Sequence, residues 1–362
     1  MRRAKKFAFF SLFLSVLLLC FFLIFLRTRV EKPKINLVSE TLPELVISTY
    51  QSWIAEEGLG KSVISEFERR YACKVRVMIS ADGGSLLSRL EMDFRRPHSQ
   101  KPHVVVGIDQ YLWHRAQVFA EDWGEWRPQG YLDLPSHYRK VGFLPYSVGA
   151  LTWMLDSQEQ SPESAPHSLM DLLHPRWKRK LILQDPRTST PGLVFILYSF
   201  TVLGEPQAVF FWSKLRDQWL TLPQSWDAAY SMFLRHQAPL VWSYVTSQAY
   251  HEQHAQPHYR ALPLKEGQPL QIEGAFLVKN SLSTSKHKEL ARQFLEFLLS
   301  PEVQTQVPQK HWMFPVRTDV ELPLSYHGIP HPFSMPMVSL PLDQKTIQRV
   351  TLLWREAVGA GR

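Results

Sequence analysis

Hydrophobic positions along most of the chain follow two alternating rhythms. Short apolar runs rich in β-branched residues, at 45–49, 74–80, 103–108, 151–155, 181–183, 239–244 and 275–278, predict strands. Between them, stretches at 85–95, 208–220 and 286–299 have helical spacing. In the last of these Leu290, Ala291, Phe294, Leu295, Phe297 and Leu298 share one face, while Lys288, Glu289, Arg292 and Gln293 occupy the other. A final amphipathic helix is predicted over 342–358, with Ile347, Val350, Leu353 and Trp354 on its apolar stripe. Strands alternating with helices imply an α/β architecture. Pro-rich stretches at 162–166 and 322–341 read as surface loops, and no internal repeat interrupts the alternation.

One segment breaks this rhythm. Residues 7–26 form a single, predominantly apolar run of the length needed to cross a bilayer as a helix. No small-x-small site follows Leu26, and Leu17 to Leu19 precede Cys20 where a lipoprotein signal carries small residues, so the segment is expected to be an uncleaved anchor over residues 1–29, with a tether at 30–44. If it were cleaved, the protein would be released instead. Arg2, Arg3, Lys5 and Lys6 precede the span and Arg27, Arg29, Lys32 and Lys34 follow it, so basic residues alone do not orient it. Those eight cations against Glu31 make +7 of the chain's formal +8, which leaves the rest nearly neutral and gives no indication of a nucleic-acid partner. At 362 residues, 45% of them hydrophobic, the chain can build two domains. Cys73 is the only cysteine outside the apolar span, so the body has no internal disulfide; at a predicted helix end it reads as a small buried hydrophobe rather than a nucleophile.

Enzyme signatures are missing: there is no Walker A, His-Glu-x-x-His, Gly-x-Ser-x-Gly or Cys-x-x-Cys. His251 and His254 are three apart, too few ligands for a metal site, and a structural or solvated role is expected. The segment Gln184-Asp185-Pro186-Arg187-Thr188-Ser189-Thr190-Pro191-Gly192-Leu193 joins an apolar strand to an apolar helix, with Thr190 as the expected N-cap and Pro191 in the first turn. It reads as a helix start whose free N–H groups attract phosphate or carboxylate. Tyr50 and Tyr244 end strands, Trp226 starts a helix, and Tyr250 and Trp312 lie among polar neighbours. Each alone is readable as core; together, with Asp82 in the turn Ala81-Asp82-Gly83-Gly84, they make an aromatic box with one carboxylate, suited to a flat cation.

Five blocks carry a resemblance: Asp82 to Leu90, Val105 to Asp109, Gln184 to Leu193, Ser243 to Tyr250, and Trp312 to Val316. In order and spacing they resemble the periplasmic thiamine-binding proteins of bacterial ABC importers, over residue 45 to the C-terminus. The resemblance implies a two-lobed periplasmic-binding-protein clamp of type II, with residues 45–146 and 275–362 in one lobe and 147–274 in the other. It implies stacking of the ligand's rings on Tyr50, Trp226, Tyr244, Tyr250 and Trp312, with Asp82, Gly83 and Asp109 also in the ligand set. Thr188, Ser189 and Thr190 would receive the phosphates of thiamine esters. The implied partners are thiamine or a relative, including its mono- and diphosphate, and an ABC permease in the inner membrane, with no cofactor beyond the ligand. The implied place is the periplasmic face of that membrane. The sequence departs from the family at Ala81 and Ser147, where acidic residues are usual, and each change removes attraction for a cation. Two other readings compete: a thiamine-degrading or pyrimidine-processing enzyme on the same fold, for which Cys73 would be the nucleophile, and a metal-binding clamp using Tyr244 and Tyr250.

Overall fold

Apolar runs become strands largely where the sequence predicts them, and their pairing is set by which faces they bury. The computed structural model describes residues 42–359, and those from Pro43 onward belong to one compact unit. The apolar segment at 7–26 and most of the tether lie outside the described residues. Glu44, assigned to the tether, instead begins β1 (Glu44–Tyr50). Among the described residues no helix is long and apolar enough to cross a membrane.

β1 is followed by α1 (Leu59–Tyr71), which buries Val63 and Phe67 and ends at Ala72 in the left-handed conformation. That turn delivers a buried Cys73 to β2 (Lys74–Ser80), which pairs in parallel with β1 along its whole length. α2 (Gly83–Arg95) leads to β3 (Val104–Asp109), buried at every position, and α3 (Gln110–Ala116) follows directly. The chain then enters β4 (Leu144–Asp156), thirteen residues that are all buried. Only its second half was predicted. Pro145, Ser147 and Gly149 obscure the first half, and the structure tolerates Pro145 because the pairing slips between Pro145 and Ser147.

Beyond β4 come β5 (Leu181–Ile182), α4 (Thr190–Leu203), α5 (Glu205–Leu215) and β6 (Trp219–Thr221). They are followed by α6 (Trp226–Leu234), β7 (Leu240–Tyr244), α7 (Ser247–Gln253) and β8 (Tyr259–Leu262). β9 (Gln268–Leu277), α8 (Ser285–Leu299), α9 (Pro301–Gln304), β10 (Phe314–Pro315), β11 (Met337–Val338) and α10 (Gln344–Gly359) complete the described chain.

The sheet runs β2-β1-β3-β9-β4-β7-β5-β6. β1, β2 and β3 are parallel, as are β5, β6 and β7, and the antiparallel β4 and β9 stand between these groups. The chain passes from the first group to the second through β4 and returns through β9. β4 pairs with β9 over Leu144–Ala150 and with β7 over Leu151–Leu155. One strand therefore belongs to both groups, and α/β sheets hold ligands in crevices where strand order switches. α10, placed by the sequence with the first lobe, packs its Ile347, Val350 and Trp354 stripe against α4 and α5 of the second; Trp354 meets Trp212 edge to face at 6.1 Å.

Candidate ligand-binding site

A cavity of about 340 Å³ opens between the two strand groups, and its wall comes from both. The ring of Tyr50, at the end of β1, fills the space beside residue 107 of β3 that its being glycine leaves open: a Cβ there would come within 2.2 Å of the Tyr50 ring. Gly107 sits at φ +100°, where the β3–β9 register shifts, so a side chain would be strained as well as crowded. The tyrosine hydroxyl then reaches the Glu273 carboxylate at 2.5 Å, and Tyr146 donates to the same oxygen.

Three buried carboxylates line this cavity: Asp82, Asp109 and Glu273. Asp82 caps α2 and accepts from the N–H of Gly83 at 2.7 Å; its other oxygen accepts from Ser189 Oγ and from the N–H of Trp226, both at 2.8 Å. Burial outweighs these donors and raises its pKa from 3.8 to about 6. Asp109 caps α3 through the N–H groups of Tyr111 and Leu112 and accepts from Thr190 Oγ1 at 2.7 Å, yet burial lifts it to about 7. Burial also pushes Glu273 up, but His311 at 3.6 Å and the two tyrosine hydroxyls more than offset this and hold it below the usual range.

The aromatic residues converge as expected. Trp226 stacks on Tyr230 at 4.8 Å and is tilted against Tyr244 at 6.3 Å, with its indole N–H bonded to Ser243 Oγ. Tyr244 donates to Gln271 Oε1 at 2.9 Å. Tyr250 meets Trp312 edge to face at 5.0 Å. Trp312 follows a π-helical turn, Val307–His311, and takes a left-handed conformation at φ 56°, uncommon for a bulky residue.

Of the residues singled out by sequence, Tyr50, Asp82, Gly83, Asp109, Thr190, Trp226, Tyr244, Tyr250 and Trp312 line this cavity. Thr188 and Ser189 do not. Thr188 Oγ1 donates to the Gln224 carbonyl, and the Ser189 and Thr190 hydroxyls are turned onto carboxylates, so this trio offers no free hydroxyls to a phosphate. Ser189, not Thr190, is the N-cap residue, because Thr190 already has its place in the first helical turn. Sequence reasoning missed Glu273, Tyr230, Gln271 and His311. Glu273 lies in a hydrophobic strand with nothing local to mark it, but it is the cross-strand partner of Ser147. A neighbouring strand thus supplies a carboxylate beside the position where the sequence lacks one.

The competing sites do not assemble. Cys73 is buried, outside the cavity wall, and its thiol is pushed up by burial. His251 is buried against Tyr230 and Gln256, with its pKa depressed to about 4, chiefly by burial. Among the described residues no group of His, Cys, Asp and Glu has the spacing to hold a metal.

Residues 125–328 match the family model of bacterial extracellular solute-binding proteins. The thiamine-binding periplasmic protein of Brucella abortus is 35% identical over 80% of this chain and 84% of its own length. The protein of the same description from Escherichia coli K12 is 34% identical over 80% of this chain and 86% of its own. A solved structure described as a periplasmic thiamin binding protein superposes with a TM-score of 0.77 at 31% identity, covering 88% of this chain and 97% of that one.

Proposed function

The chain belongs to the bacterial extracellular solute-binding proteins, and within them to the periplasmic thiamine-binding proteins, and from that membership we propose that its cavity binds thiamine for delivery to an ABC import permease. It is a receptor, not an enzyme, like the relatives it matches. The observation that carries the ligand assignment is the pairing of aromatic walls with three buried carboxylates in one cavity.

Each part has a partner in the ligand's chemistry. The flat rings suit the faces of Trp226, Tyr244 and Tyr50, and the thiazolium charge meets carboxylates that burial has made costly to ionise alone. Glu273 is charged at neutral pH and is our choice for the principal counter-ion; Asp82, at about 6, is mostly ionised there too, and Asp109, at about 7, completes its ionisation as the cation enters. For phosphate esters, the donors to use are the backbone N–H groups at the starts of α2 and α6, which Asp82 now occupies. Asp82→Asn is expected to shift preference from free thiamine toward its mono- and diphosphate.

Hinging about β4 and β9 would close the two strand groups on the ligand. Support comes from contacts that already cross between them: Asp82 to Ser189 and Trp226, Asp109 to Thr190, and the N–H of Ser85 to the Thr188 carbonyl at 3.1 Å. We further propose that residues 7–26 anchor the protein to the inner membrane, which would keep the receptor concentrated beside its permease. Proteoliposome flotation tests this: association that survives high salt and is lost on deleting residues 1–29 is expected, and flotation of the truncated chain would contradict it. Binding assayed by calorimetry with Trp226→Ala and Glu273→Gln tests the cavity; unchanged affinity in both, with folding intact, would place the ligand elsewhere.

A further inference from the structure

From Trp226 a file of polar side chains runs into the body of the protein. α6 carries Trp226 and Tyr230 one turn apart, and their rings stack at 4.8 Å with 18° between the planes. α7 carries Ser247 and His251 at the same spacing, and β7, between the two helices in sequence, supplies Ser243. Tyr230, Ser243, Ser247 and His251 are all buried. The indole N–H of Trp226 donates to Ser243 Oγ at 2.8 Å, and Ser243 Oγ lies 2.8 Å from Ser247 Oγ. Ser247 hydrogen-bonds the Tyr230 hydroxyl, which lies 2.8 Å from His251 Nε2, and His251 Nδ1 is 2.9 Å from Gln256 Oε1.

The ends of this file set its direction. An indole N–H only donates, and an amide oxygen only accepts. Burial depresses the His251 pKa to about 4, so at neutral pH the ring carries one proton. That proton sits on Nδ1, facing Gln256, and Nε2 accepts from Tyr230. The tyrosine oxygen then accepts from Ser247, Ser247 from Ser243, and Ser243 from the indole. Donors and acceptors follow one another without a break from Trp226 to Gln256, and bonds in such a chain polarise and strengthen each other.

We propose that His251 is a positioning residue for the ligand site: through Tyr230 and the two serines it holds the Trp226 indole in the plane that receives the ligand's flat ring. The inference rests on the assignment of the cavity to thiamine. Trp226, Tyr230 and Ser247 line that cavity and His251 does not, so the histidine acts through the file and never touches the ligand. Tyr230 supports the face of the indole by stacking, and the file fixes its edge. The platform is therefore set before the ligand arrives, and less side-chain freedom is lost on binding. Without the imidazole acceptor the Tyr230 hydroxyl must turn back on Ser247, and the reversal leaves the indole N–H sharing Ser243 Oγ with the Ser247 hydroxyl.

Two measurements on the full-length protein test this. The first needs no ligand: with isotope-labelled tryptophan, the Trp226 indole N–H resonance is assigned by its loss in Trp226→Phe, and its exchange with solvent is timed. Exchange should be at least tenfold faster in His251→Phe and in Tyr230→Phe, which keeps the stacked ring and removes only the hydroxyl. His251→Gln, whose amide oxygen can stand where Nε2 stood, should stay near the wild-type rate. By calorimetry, thiamine affinity should fall about fivefold in each phenylalanine variant, the loss expected of one hydrogen bond, and recover to within twofold of wild type in His251→Gln. Adding His251→Phe to Tyr230→Phe should cost nothing further. Unchanged exchange in both phenylalanine variants, wild-type thiamine affinity in both, or a further fivefold loss in the double variant would each overturn the proposal, the last because additive losses mean separate roles. Wild-type protein that fails to bind thiamine would strike the assignment of the cavity instead, and the exchange rate would still decide whether His251 holds the indole.

Discussion

At the scale of single residues the account rests on faces and charges. Trp226→Ala and Tyr244→Ala should each weaken thiamine binding by about 1–3 kcal/mol through lost stacking and cation–π attraction, measured by calorimetry. Glu273→Gln should cost about 1.5–3 kcal/mol, because a charge-assisted contact is replaced by a neutral one. The aspartates add a pH dependence. Folding raises Asp109 from 3.8 to about 7, so the stability it contributes is fully present below pH 3.8 and is lost as pH rises through about 7. Buried His103 and His251, both depressed to about 4, act oppositely between about 6.5 and 4. The diagnostic quantity in the ligand-free protein is therefore the Tm difference from Asp109→Asn, which should shift against wild type as pH climbs from 4 to 8. A cation favours the ionised aspartate, so thiamine affinity should rise over the same range and flatten in the variant; a flat wild-type profile would contradict the role of Asp109. The five aromatic positions were legible in sequence because strand ends and turn neighbours mark them. Glu273 was not, because the hydroxyls that hold its carboxylate belong to two tyrosines, at 50 and 146, more than a hundred residues away.

Elements place these residues. Three helices, α2, α4 and α6, start at the cavity wall, and their N-terminal segments converge on Asp82 through Gly83, Ser189 and Trp226. Helix starts were readable from caps and proline, and the sequence located the one at 190 while missing that its hydroxyls are already committed. Gly84→Ala would drive a Cβ into the Thr188 carbonyl at 2.7 Å and should hold the two segments apart. We expect at least tenfold weaker thiamine binding, with a change in Tm small enough to leave the protein folded at 25 °C; unchanged affinity would mean that the α2–Thr188 contact does not serve binding. Long periodic elements such as α8 and α10 were legible within a residue or two. β6, β8 and the first half of β4 were not, since short strands and a proline-bearing strand owe their conformation to partners that the local pattern does not name.

On the scale of the whole molecule, the sheet order places β4 and β9 side by side between the two parallel groups, and the chain crosses from one group to the other through β4 and back through β9. The α/β alternation announced the fold class, but the central crossing pair did not show in the sequence pattern, because register and strand order are set by distant partners. A two-group body with its ligand between the groups should contract on binding, and small-angle scattering should show a smaller radius of gyration with thiamine than without; equal radii would mean that closure does not accompany binding. The most direct test of the central claim is calorimetric titration of the full-length protein with thiamine at pH 7.5, with product analysis of the same mixture. The account predicts saturable one-to-one binding with the thiamine recovered intact. Absence of saturable binding would contradict the assignment of the cavity, and recovery of cleaved pyrimidine or thiazole would contradict the receptor itself.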